Sequence, residues 1–188
     1  MENKIEYLDK QIKRSNNILA QSKKYFEPLS EEQIEKNPSQ EKWSLAQIFE
    51  HLNLYADHYN PTLATALNNL TSTELDSDDY YRPKQLGKWF TNTMAPKQGI
   101  VKMKMGTAKD KNPFTTGVRA NVYAEFIKQQ TEFVALLEQA KEVNINYKNV
   151  NTTLGSFIKL SVGDTVNVLV NHNERHMIQA MDVLSDIG

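Results

Sequence analysis

Four stretches of this chain carry apolar residues at steps of three, four, seven or eight, and that spacing constrains the fold more than any other feature. The series are Ile5, Leu8, Ile12, Leu19 and Phe26; Leu45, Ile48, Leu52, Tyr59, Leu63, Ala66 and Leu70; Val122, Phe126, Phe133, Leu137 and Ala140; and Val162, Val166, Leu169, Met177, Ala180 and Leu184. Steps of this size gather side chains on one face of an α-helix, so each stretch reads as a helix with an apolar stripe. The spacing predicts helices over about Glu2–Phe26, from Leu45 to about Leu70, over Gly117–Glu142 and over Val162–Leu184. Four helices that must each bury one stripe imply an all-α, four-helix bundle. Long connections after the second and third helices leave the up-and-down order open.

Local signals mark where the helices start. Ser44 and Gln47 have the spacing of a capping box, with Trp43 placed to staple onto Ile48. Ser30 and Gln33 have the spacing for one short turn, and Ser161 with Asp164 forms a weaker pair. Pro61 removes a backbone donor from the second helix and predicts a kink or break there. Residues 72–115 hold Pro83, Gly87, Pro96, Gly99, Gly106 and Pro113, the least regular composition in the chain. Within this central insertion, Gln85–Thr93 reads as a short extra helix and Val101–Met105 alternates like a short exposed strand of a β-like hairpin. Asn144–Lys159 reads as loop. At 188 residues, with no repeat, the chain is expected to form one domain over 1–188.

Composition removes several classes of function. A net charge of −1 and a pI near 6.4 give no general attraction to nucleic acid or to an anionic membrane, so neither is expected as a partner. The acidic run of Glu74, Asp76, Asp78 and Asp79 and the lysines Lys97, Lys102, Lys104, Lys109 and Lys111 read as solvated loops. No window is apolar enough to span a bilayer and no leader is visible at the start, so a soluble, cytoplasmic protein is expected. The sequence has no cysteine, which excludes a disulfide framework, a thiolate metal site and a cysteine nucleophile. Signatures of serine hydrolases, nucleotide-binding loops and H-E-x-x-H proteases are absent.

The chemistry then rests on four histidines, His51, His58, His172 and His176, all on the second and fourth helices. His172 and His176 stand one helical turn apart and project from one face. At about 100° per residue, His176 lies roughly 60° from the centre of its stripe, and His172 and His51 each roughly 100° from theirs. Such border positions can converge on a cleft between two helices, where three imidazoles could share a metal ion. Histidines at such borders are commonly surface residues or make a single hydrogen bond, and spacing alone favours that reading.

Trp43-Ser44 leading into Phe49-Glu50-His51-Leu52, and the run His172-Asn173-Glu174-Arg175-His176-Met177-Ile178-Gln179, resemble the DinB-like superfamily of damage-inducible and bacillithiol- or mycothiol-transferase-related proteins. The resemblance implies a four-helix bundle holding a divalent metal, zinc or nickel, on His51, His172 and His176. It further implies a metal-dependent enzyme in which a thiol or water is activated for transfer or hydrolysis on a small molecule, with a low-molecular-weight thiol as a candidate partner and a homodimer as a common state. Tyr55 and His58, further along the His51 helix, and Gln179 are candidates for the pocket around the ion. The alternative is a non-catalytic, stress-related or ligand-binding bundle. Three neutral imidazoles suit zinc or nickel and leave coordination positions open for chemistry.

Overall fold

The computed structural model describes residues 1–68, 78–96, 106–153 and 155–187. Four helices form the body: α1 (Lys4–Phe26), α3 (Leu45–Asn68), α6 (Val122–Gln139) and α7 (Val162–Ile187). Between them lie α2 (Glu31–Glu35), α4 (Gln85–Met94) and α5 (Pro113–Thr116), with 3-10 turns at Lys109–Lys111 and Ala140–Glu142. Two short antiparallel pairs complete the fold: β1 (Glu2–Asn3) with β2 (Tyr80–Tyr81), and β3 (Lys148–Thr152) with β4 (Gly155–Ser161). Among the described residues no helix is long and apolar enough to cross a membrane.

Around the bundle, α6 and α7 each pack against both α1 and α3. The Asn53 amide donates to the Val122 carbonyl and, seven residues further on both helices, the Asn60 amide donates to the Gln129 carbonyl. α3 and α6 therefore run parallel. α1 and α7 are parallel too, since the Tyr7 hydroxyl donates to the Gly163 carbonyl and Arg14 pairs with Glu174. The order is up-down-down-up. Two parallel neighbours cannot be joined by a tight turn: α3 has 24 residues and so is about 36 Å long at about 1.5 Å per residue. Between Asn68 and Val122 the chain must therefore return along that length. The central insertion is thus a requirement of the topology.

The helix starts follow the sequence signals. Ser44 Oγ accepts from the Gln47 backbone at 3.2 Å and Gln47 Oε1 accepts from the Ser44 backbone at 2.9 Å, a complete capping box; Ser30 and Gln33 form another. At α7 only half of the box is present. Ser161 Oγ accepts from the Asp164 backbone at 3.0 Å, but the Asp164 carboxylate accepts from the Tyr81 hydroxyl and the Lys84 backbone instead. α4 matches the short helix read in the insertion. The strand read at Val101–Met105, with Lys97, Lys102, Lys104, Glu74, Asp76 and Leu70, lies outside the described residues.

Several expectations need correction. α3 runs through Pro61 without a break. The third long helix begins at Val122 rather than Gly117, because Gly117 (φ 79°) and Asn121 (φ 54°) adopt left-handed backbone that ends one turn before the next begins. Asn144–Lys159 is not all loop: β3 and β4 form a hairpin that buries Val150 and Leu160, against the low strand preference of its asparagines. On α1, Ile18 rather than Leu19 is buried, and Ile5 is 42% exposed.

Gly87 on α4 sits where α4 comes up close against Asp164 of α7. A Cβ there would stand 2.2 Å from Asp164 Cγ, and that carboxylate is held by Tyr81 and Lys84. Alanine normally stabilises a helix over glycine by about 0.5–1 kcal/mol. Gly87→Ala is expected to destabilise instead, by about 1–3 kcal/mol from overpacking, as a lower midpoint in denaturant unfolding. Ser44→Ala should cost about 1 kcal/mol in the same measurement.

Candidate metal centre

The apolar core is divided. One cluster includes Leu8, Ile12, Leu63, Leu137 and Val166; the other includes Ile18, Phe49, Leu52, Phe126 and Met177. Between them every bundle helix contributes buried polar side chains: Gln11 and Ser15 from α1, His51 and Asn53 from α3, Gln129 and Gln130 from α6, and Asn171, His172, Arg175 and His176 from α7. In the sequence this layer is visible as interruptions of the stripes, from Ile12 to Leu19, Phe126 to Phe133 and Leu169 to Met177.

His51, His172 and His176 meet inside this layer. Each offers a ring nitrogen, and the three atoms lie within 4.8 Å of one another. His51 Nε2 stands 3.3 Å from His172 Nε2, and the His51–His176 and His172–His176 ring centroids are 4.5 and 4.6 Å apart. The rings are 3%, 5% and 8% exposed, so the wheel-border reading underestimates their burial. The cover comes from elsewhere in the chain: the Trp43 ring lies 4.9 Å from His51, and the Lys111 carbonyl reaches His51 Nδ1.

Hydrogen bonds orient two of the rings. A carbonyl can only accept, so His51 Nδ1, 2.7 Å from the Lys111 oxygen, carries the proton and leaves Nε2 as a bare lone pair. His176 Nδ1 meets Gln179 Oε1 at 2.9 Å, the same arrangement from a side-chain amide. Buried imidazoles braced in this way through one nitrogen are suited to present the other to a metal ion.

Burial is the largest influence on all three rings. It lowers His51 to about 4, with the Lys111 hydrogen bond opposing and the Lys111 charge adding to the shift. It lowers His172 to about 3, with the neighbouring His51 adding to the effect. It holds His176 well below 6.5, reinforced by His172 and His51. The cluster is therefore uncharged near neutral pH, the form in which imidazole binds a metal. Among the described residues no carboxylate joins it. The donor set fits a borderline divalent ion and would not neutralise its charge.

Of the other sequence-selected residues, two stand at the cluster and one does not. The Tyr55 ring lies 4.5 Å from His172 and 4.9 Å from His51, and burial pushes its hydroxyl up to about 12. Gln179 holds His176. His58 instead bonds the Asn151 carbonyl at 2.9 Å and docks the β3–β4 hairpin onto α3. Arg175, between the two clustered histidines of α7, is itself buried at 8% exposure, and Glu174 pairs with Arg14. Trp43 and the Lys111 carbonyl were not legible as site contacts; the tryptophan's place just before the capping box was the available signal. A cavity of about 20 Å³ between Tyr55, Tyr59, Gln129 and Gln130 is the size of a water molecule rather than a substrate.

The lowered imidazole values link stability to pH. The unfolded chain takes up protons below its ordinary histidine value of 6.5 while folded His51 does not until about 4 and His172 until about 3. Their folded form is thus favoured fully above 6.5 and loses stability as pH falls through that window, with a slope of up to about 1.4 kcal/mol per pH unit for each such ring. Metal-free protein should show this loss in denaturant unfolding across pH 6.5 to 4, and His51→Gln should flatten it.

No curated protein matches the sequence. The solved structure of YfiT from Bacillus subtilis, described as "a probable metal-dependent hydrolase with an unusual four-helix bundle topology", is similar to it with a TM-score of 0.54 and 14% identity, covering 94% of this chain and 85% of that one. At that identity the likeness supports the fold. The family model of the DinB superfamily matches residues 17–180, a span that includes all three clustered histidines. The chain belongs to the DinB superfamily.

Proposed function

We propose that this chain, as one domain over 1–188, is a metal-dependent enzyme acting on a small molecule, with zinc or nickel held by His51, His172 and His176. The observation that carries the reading is the meeting of three buried, uncharged imidazoles with ring nitrogens within 4.8 Å. A divalent ion bound there supplies Lewis acidity at neutral pH, toward either water or a low-molecular-weight thiol as nucleophile. Hydrolysis is favoured by the description of YfiT as a probable metal-dependent hydrolase. Thiol transfer is favoured by the resemblance to thiol-transferase-related proteins.

The chain's own residues do the rest. The Lys111 carbonyl and Gln179 hold the Nδ1 protons of His51 and His176, so each ring keeps one orientation. Trp43 packs over His51 and limits water at the rings. Tyr55, with its raised value, stays protonated at neutral pH and acts as a hydrogen-bond donor rather than a base.

Protein purified without a histidine tag should contain about one equivalent of zinc or nickel, or take it up when offered, by elemental analysis and calorimetry. Protein that neither carries nor binds either ion would overturn the reading. His176→Ala should lose the ion and keep its far-ultraviolet helical signal. Gln179→Ala should weaken zinc binding roughly 10- to 100-fold, the usual effect of removing a ligand's supporting hydrogen bond. Release of leaving groups from esters and activated halides, with and without an added thiol, separates hydrolysis from transfer. Metal-dependent stability with no turnover on either would instead favour a binding module.

A further inference from the structure

The segment 106–121 crosses α3 as a strap, through the turn Lys109–Lys111, helix α5 and two left-handed residues. It meets the imidazole cluster at the backbone of Lys111, whose carbonyl lies 2.7 Å from His51 Nδ1. A backbone carbonyl on a connecting segment is only as well placed as that segment's anchors. One anchor is at its far end, where the Asn53 amide bonds Val122. The turn Lys109–Lys111 and α5 also pack on α3, and a further anchor is Arg119, which reaches back to the helix that carries His51.

Arg119 is unusually committed to α3. Its Nε lies 2.8 and 3.1 Å from the two oxygens of Glu50, its backbone donates to the same carboxylate at 3.2 Å, and its terminal nitrogen lies 2.6 Å from Asp57 Oδ2. Gln129 on α6 holds the other Asp57 oxygen at 2.5 Å. Glu50 is adjacent to His51 in sequence and its side chain is only 5% exposed, so this is a partly buried, forked pair rather than a solvated surface contact. A planar guanidinium can hold two carboxylates in fixed directions, which a lysine ammonium cannot.

We propose that Arg119 is a positioning residue for the three-histidine centre: by clamping Glu50 and Asp57 it holds the strap whose Lys111 carbonyl keeps the proton of His51 on Nδ1 and its Nε2 free. The hydrogen bonds of Arg119 go to Glu50 and Asp57 and not to the imidazoles. It acts through the strap, and nothing in the histidine motifs marks it. The inference rests on the metal-centre reading for its consequence, but the state of the His51 ring is measurable without any metal.

The test uses the full chain with its histidines labelled with nitrogen-15. Metal-free wild-type protein should show His51 in the Nδ1-protonated tautomer. Arg119→Met leaves the buried Glu50 carboxylate unpaired, so it is paired with the double variant Arg119→Met/Glu50→Gln, which removes both charges. In each, the His51 signals should move to mixed tautomers, and zinc affinity should fall roughly 10- to 100-fold. Arg119→Lys should show an intermediate tautomer ratio and affinity. Leu63→Ala, in the other core cluster, controls for lost stability and should leave His51 unchanged. A folded Arg119→Met or double variant with wild-type tautomer signals and wild-type zinc affinity, whatever its melting temperature, would overturn the proposal. If wild-type protein binds no zinc while the tautomer still shifts in the variants, the metal reading falls and the hold of Arg119 on His51 stands.

Discussion

A band of buried polar groups divides the bundle interior, and the candidate centre depends on it. An uninterrupted apolar core would be simpler to build, because each buried amide or imidazole must find partners to offset its lost hydration. The chain meets part of that demand with cross-helix contacts: Asn53 to the α6 backbone, Asn173 to Gln130, and Arg14 to Asn171 and Glu174. The apolar clusters on either side hold the four helices together. The band between them brings in groups capable of chemistry and keeps them away from bulk water.

Burial is what makes the three histidines a site. Exposed imidazoles are partly protonated near neutral pH, and close neighbours repel once charged. Here desolvation pushes all three toward the neutral form; a neighbouring ring disfavours the charge further at His172 and His176, and the Lys111 charge does so at His51. The topology contributes the convergence. Because α3 and α7 are neighbours of opposite direction, one position on α3 faces a pair one turn apart on α7. The same topology forces the return of the chain from the end of α3 to the start of α6, and that return path supplies both the strap and its Lys111 carbonyl.

Legibility in the sequence differed by element. The helix stripes and the boxes at Ser44 and Ser30 depend on short-range spacing, so the four long helices, α4 and these starts could be read directly. The resemblance motifs selected His51, His172 and His176 as a set. His58 shows the limit of that reading: its position on α3 resembles that of His51, yet β3 rather than α7 lies against it, and it bonds a strand carbonyl. Ile18 and Leu19 show another, since adjacent apolar residues leave the stripe's centre ambiguous until the facing helix selects one of them.

Local patterning by itself determined where this chain becomes helical, which faces are apolar, and that imidazoles rather than thiolates are available for metal chemistry, because those properties depend on residue type and spacing of a turn or two. Only the tertiary structure decided that α3 and α6 run parallel, that Asn144–Lys159 contains a hairpin, and that Trp43, Lys111 and Arg119 belong around His51. Those outcomes depend on contacts between residues tens of positions apart, whose partners are set by packing and closure of the whole bundle rather than by any neighbouring residue.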